Sequence, residues 1–366
     1  MTASAWKADT AEPRQLRFNS DGSFKILHIA DIQDTPYMAP VIADYLEDIC
    51  ESEKPDLVVL GGDNIASSCG KAATQTIAEL QVKQGINNFM SVFEKLDIPV
   101  AVVFGNHDGE RRVSNEFQME FYKTYDVFVG KDDAEGVYGC GNYNVPILSS
   151  DGSKYAYNIW CFDSHSRNSE LGGLDYIRDS QVDWYVKTSN ELKAANGGEP
   201  VPSMAFQHIA VSEINEALEN GTYVSGSVNE EPDCGVVESR QFQAMVEQGD
   251  VRAMFFGHNH PNTFVYSYKG IDLGQTPAAG FNLSDDNRGV RVITINENDT
   301  STYETHLINY RETFCTDEYS TARYLMNAAE NGEASQRENA AKYFGLSVLK
   351  FKFIGKVIYE LLCIVM

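Results

Sequence analysis

A recurring pair restricts this chain more than anything else in it: a short apolar run, then a turn rich in carboxylate, amide or imidazole. Ile26–Ala30 leads into Asp31 and Gln33, and Leu57–Leu60 into Gly61-Gly62-Asp63-Asn64. Val100–Phe104 leads into Gly105-Asn106-His107-Asp108, Met204–Phe206 into Gln207 and His208, and Met254–Phe256 into Gly257-His258-Asn259-His260. Runs of this length and β-branched content read as buried strands. Helical patterns lie between several of them, at about 38–53, 72–95, 114–125, 181–195 and 237–248. Ser180 reads as the N-cap of the fourth, with Asp183 three residues on and Gly197 past its end. Alternating strands and helices predict an α/β layered fold. Strand ends in such a fold line one edge, so turns far apart in sequence converge there. The glycines let the backbone turn sharply and approach a ligand.

A further run at Ala156–Phe162 reads as a strand, and residues 130–153 as loops around a short hairpin. Thr263–Tyr268 and Val290–Ile295 have no helix between them and read as a meander, which favours a sandwich over a single doubly wound sheet. From about 317 to 345 the pattern turns helical, broken at Asn331-Gly332. Segment 346–366 places Leu346, Leu349, Phe353, Val357, Leu361 and Val365 on one stripe. Lys350, Lys352, Lys356 and Glu360 interrupt it, so it is a poor membrane span. It reads as a helix docked on its own domain, with membrane-surface or partner docking as the alternative. The organisation expected is an N-terminal tail at 1–20, one domain at 21–312 and a helical appendage at 313–366.

The 366 residues are 43% hydrophobic, enough for a large core. The net charge of −24 speaks against nucleic acid as a partner, because such a surface repels phosphate backbones. The seven cysteines are scattered and form no CxxC pair, so a reducing compartment is favoured. The first 16 residues lack an apolar signal core, and the expected address is cytoplasmic, although a signal already removed leaves no trace.

The order D-x-[H/Q], GD, GNH[D/E], H, GHxH over residues 31–260 resembles the calcineurin-like metallophosphoesterase superfamily. The surroundings CFDSHSR, DSQVDWY, MAFQHIAVSE, GDVRAMFFGHNHPNTF and RGVRVI are similar to the branch that resembles purple acid phosphatases but lacks their tyrosine ligand. Ala66 stands at the tyrosine's place, so no purple charge-transfer colour is expected. The resemblance covers roughly 24–295 and implies a four-layer β-sandwich flanked by helices.

It also implies two metal ions, divalent or of mixed valence. Asp31, Gln33, Asp63 and His260 would hold the first. Asp63, Asn106, His208 and His258 would hold the second, with Asp63 bridging. A shared carboxylate offsets the repulsion of two close cations, while neutral imidazoles and amide oxygens complete the shells. Gln33 fills a place that many relatives give to histidine. An amide oxygen is a harder and weaker donor than imidazole, which favours manganese or iron(II), with zinc still feasible. The alternative is that Gln33 only hydrogen-bonds nearby.

The activity so implied is in-line attack on a phosphate monoester by a metal-activated hydroxide. A phosphodiesterase, a nucleotide pyrophosphohydrolase or a silent binding protein could occupy the same site. By analogy His107 protonates the leaving group or stabilises the transition state, and Asp108 is a candidate to orient it. Residues 64–68 hold no acid for that task. Arg111, Arg112 and Arg167 lie in loops suited to phosphate contact, although any single one of them reads first as a solvated surface arginine. His165 follows a strand and is a candidate to face a small phosphorylated substrate, whereas His28, inside a strand, reads as a core histidine.

Overall fold

The computed structural model describes residues 14–36, 40–67, 69, 72–110, 112–131, 133–281, 287–318, 320–321 and 324. The chain runs through β1 (Leu16–Arg17), β2 (Ser23–Ile29), α1 (Pro40–Glu53), β3 (Leu57–Gly61), α2 (Gln75–Leu96), β4 (Val100–Val103) and α3 (Asn115–Tyr122). The hairpin of β5 (Tyr143–Leu148) and β6 (Tyr155–Cys161) follows, then β7 (Arg167–Asn168), β8 (Gly173–Leu174), α4 (Asp179–Ala195) and β9 (Ser203–Phe206). Next come α5 (Glu213–Asn220), β10 (Thr222–Ser225), α6 (Gln241–Gln248) and β11 (Val251–Phe256). The last elements are β12 (Val265–Tyr268), β13 (Ile271–Gln275), β14 (Gly289–Asn296), β15 (Asp299–Asn309) and α7 (Tyr310–Phe314).

The strands form two main sheets, one ordered β15-β14-β2-β3-β4 and the other β1-β5-β6-β9-β11-β13-β12-β10. The strands that carry the polar turns pair in parallel, β2 with β3 and β3 with β4 in one sheet, β9 with β11 in the other. Their C-terminal ends therefore point the same way within each sheet. Ala30, just past β2, bridges to Ala278 beyond β13, which joins the two sheets at that edge.

Period-two alternation separates the layers. Phe206 and Phe255 face the five-stranded sheet, stack at 6.0 Å, and belong to the larger core with Ile26, Leu27 and Ile29. Their neighbours Ala205, Met254 and Phe256 face the other way, into a second core with Val182 and Tyr185 of α4 and Phe242 and Met245 of α6. On the far side α2 presents Ala78, Val82, Ile86, Phe89 and Phe93, buried at helical spacing. The result is the expected four-layer α/β sandwich flanked by helices.

Two basic side chains lie in the interior between the sheets. His28 is fully buried, its Nδ1 2.8 Å from Thr276 Oγ1 and its ring edge-on to Phe206 at 4.9 Å. Burial, then the nearby charges of Arg291 and His208, push its pKa down to about 3. Arg291, on β14, donates to the carbonyls of Thr263 and Gln275, both at 2.8 Å, and lies over the Phe255 ring. It thereby ties β14 to the opposite sheet.

Several local readings need revision. The late meander is two hairpins in different sheets: β12–β13 joins the eight-stranded sheet and β14–β15 the five-stranded one. Helix α4 begins at Asp179 with Arg178 as N-cap, whose amide donates to Gln181 Oε1 at 2.8 Å. Ser180 instead accepts the Tyr138 amide. At the C-terminal side Tyr324 is fully buried, stacked on Tyr310 and edge-on to Phe281. The amphipathic stripe 346–366 lies outside the described residues, and no described helix is long and apolar enough to cross a membrane.

Candidate metal centre

The loops after β2 and β3 continue the parallel ladder beyond the strand ends. Asp31 N–H donates to Gly62 O at 3.0 Å, Gln33 N–H to Asp63 O at 2.8 Å, and Asp34 N–H to Asn64 O at 3.0 Å. The backbone around these turns takes a conformation that side chains seldom adopt. Asp31, Gln33, Asp63 and His258 all have left-handed φ, at 53°, 44°, 50° and 71°. Such residues cost free energy and persist where the surroundings over-determine them, a condition typical of ligand sites.

Asp63 stands at the centre. Its Oδ1 accepts the His107 amide at 2.7 Å, and its Oδ2 lies 3.2 Å from His208 Nε2. Asp31 Oδ2 accepts the His258 amide at 3.0 Å, while Asp31 Oδ1 lies 3.4 Å from His260 Nε2 and 3.9 Å from His208 Nε2. Gln33 Nε2 is 3.4 Å from His260 Nε2. His208 anchors its ring through Nδ1 on Gly61 O at 2.9 Å, which leaves Nε2 turned inward. The ligand atoms of Asp63, His208 and His258 lie within 4.8 Å of one another.

The electrostatics of the cluster are those of a cation site. Burial alone raises the Asp63 pKa, but the facing His208 and His107 bring it below the ordinary carboxylate value. Burial alone lowers that of His208, but Asp63 and Asp31 outweigh it and raise the pKa. His258 is pushed down to about 4 by burial and by His208, so its imidazole is neutral and free to donate a lone pair. Asp31 Oδ1 and Asn106 Oδ1 are buried without a hydrogen-bond partner. Orphaned oxygens beside inward-facing imidazoles fit metal ions, because burial without a partner is otherwise costly.

Two expected residues behave differently from their sequence reading. Asp108 is buried and turned away from His107: its Oδ1 accepts the Ile65 amide at 2.9 Å and its Oδ2 the Gly105 amide at 2.7 Å. Burial and the charge of Asp63 push its pKa up to about 7. It clamps the loop after β3 to the loop after β4. His165 has both ring nitrogens engaged, Nδ1 3.2 Å from Asp163 Oδ2 and Nε2 2.9 Å from Gln181 Oε1, so it braces its own loop and does not offer a free edge to substrate. Arg112 and Arg167 are exposed, and Arg111 lies outside the described residues. Sequence reasoning overlooked Glu110, whose Oε2 is 2.8 Å from His107 Nδ1. The signal was an acid three residues after the histidine in a glycine-containing turn.

The calcineurin-like phosphoesterase family model matches residues 24–262. The chain belongs to this family. Among calcineurin-like phosphoesterase relatives, probable inactive purple acid phosphatase 28 of Arabidopsis thaliana is 30% identical over 289 residues, 70% of each chain. Probable inactive purple acid phosphatase 14 of the same plant is 29% identical over 304 residues, 73% of each chain. Phosphatase DCR2 of Saccharomyces cerevisiae is 28% identical over 232 residues, 56% of this chain and 37% of its own. A solved dimetal phosphatase from Danio rerio shares the fold with a TM-score of 0.51 at 13% identity, covering 78% of this chain and 99% of that one. The family implies a dinuclear metal centre, and the orphaned donors described above fit it.

Proposed function

We propose that this protein is a dinuclear metal-dependent hydrolase of phosphate monoesters acting on small phosphorylated substrates. The observation that carries this reading is the completeness of the donor set around Asp63, with no position replaced by an apolar side chain. Asp31, Gln33, Asp63 and His260 would hold one ion, and Asp63, Asn106, His208 and His258 the other. Bound there, the ions supply an activated water near neutral pH and positive charge for the phosphoryl oxygens. The protein's own share is positioning and proton handling. His107, a third exposed above Asp63 with Nε2 3.9 Å from Asp63 Oδ2, is placed to give a proton to the departing oxygen. The negative surface disfavours long polyanions and leaves compact esters as the substrate class. Gln33 in place of an imidazole favours manganese or iron(II) over zinc.

A second reading deserves a test because relatives carry the words "probable inactive" in their names. On that reading the centre binds metal or phosphate without turnover. Metal-stripped protein refilled with Mn, Fe(II), Zn or Mg is assayed on p-nitrophenyl phosphate and its bis-ester. Metal-dependent release from the monoester supports the proposal. Preference for the bis-ester supports a phosphodiesterase. Two bound metals with no release from either ester supports the silent reading.

A further inference from the structure

His107 and Glu110 belong to one tight turn, closed by the Glu110 amide on His107 O at 3.5 Å. The His107 ring has two faces of business. Nε2 looks toward Asp63, and Nδ1 lies 2.8 Å from Glu110 Oε2, a charge contact without the alignment of a hydrogen bond. The other acids nearby are committed elsewhere, Asp108 to two backbone amides and Asp63 to the His107 amide and His208. The ring is a third exposed, so packing alone does not fix its orientation. The negative charge of a carboxylate beside Nδ1 favours the ring orientation in which Nε2 faces inward.

We propose that Glu110 is a positioning residue that holds His107 with Nε2 turned toward the phosphoester leaving group. This rests on the phosphoesterase reading above. In the step served, a water oxygen bonds to phosphorus, and the ester P–O bond breaks with its electron pair on the alcohol oxygen. That oxygen takes the Nε2 proton. The proton released by the attacking water returns through solvent to the ring, and the sum is one water consumed, with alcohol and phosphate released.

The test compares an alkyl phosphate with p-nitrophenyl phosphate, whose phenolate departs readily without a proton. Wild type is measured first, then Glu110→Gln, Glu110→Asp, His107→Ala and the His107→Ala/Glu110→Gln double variant, with metal content and KM recorded for each. Glu110→Gln is expected to lower kcat on the alkyl ester by about 10–100-fold, and by at least about tenfold more than on the aryl ester. KM and metal content should hold, Glu110→Asp should restore part of the loss, and Glu110→Gln should add nothing to His107→Ala. Equal loss on both esters, additive loss in the double variant, or a fall in metal content overturns the assignment. Wild type inert toward both esters overturns the phosphoesterase reading itself, before any variant is made.

Discussion

Gly105 tolerates nothing larger. A Cβ there would fall inside contact distance of both Asp63 Oδ1 and Asp63 N, which are backed by the loop pairing and cannot retreat. Gly105→Ala is therefore expected to reduce bound metal from two ions to one or none while the far-UV circular dichroism stays native, with metal content by mass spectrometry as the check. Gln33→His is expected to shift preference toward zinc, measured by competition between Zn and Mn for the stripped protein. The candidate donors were legible in the sequence, because each sits one to four residues beyond an apolar run, and Asp63, Asn106, His258 and His260 follow a glycine. The partner of His107 was not. Sequence cannot tell which of Asp108 and Glu110 returns to the ring. The choice is made by the amides of Ile65 and Gly105, which need acceptors in a buried place and take both oxygens of Asp108.

The buried strands were readable for the same reason: β3 and β9 differ by one residue from the runs Leu57–Leu60 and Met204–Phe206, and the runs Ile26–Ala30 and Met254–Phe256 mark the C-terminal ends of β2 and β11. What escaped were elements without an apolar signature. Strand β15 reads DTSTYETHLIN and lies at a sheet edge, mostly solvent-facing, so neither face needs to be apolar. Helix α5 is a short EINEALEN that buries only Glu213, Ile214 and Ala217. The meander was read as one unit because sequence does not record which sheet a hairpin joins. Between the sheets Phe206 packs on His28 and Phe255. Phe206→Ala should leave a cavity there and cost about 3–5 kcal/mol, read as a lowered urea midpoint at unchanged m-value.

At the scale of the whole molecule, stability should carry the signature of a neutral histidine sealed between two sheets. The unfolded chain protonates His28 near pH 6.5, whereas the native state resists until about 3. The unfolded state thus binds the extra proton across that window, and stability falls as pH drops through it. In metal-free protein, His28→Asn should flatten this acid limb by up to about 1.4 kcal/mol per pH unit relative to wild type, measured by urea unfolding at several pH values. Parallel curves would show that His28 does not titrate as its burial requires. The central claim is that both sheets deliver their strand ends to one working dinuclear centre. Phosphate release from p-nitrophenyl phosphate, with metal stoichiometry determined on the same sample of wild type and Asp63→Asn, tests it most directly. The account predicts two ions and metal-dependent turnover in wild type, and loss of at least one ion with an activity drop of at least about 100-fold in the variant. Two ions in wild type without turnover, or turnover that survives Asp63→Asn unchanged, would contradict it.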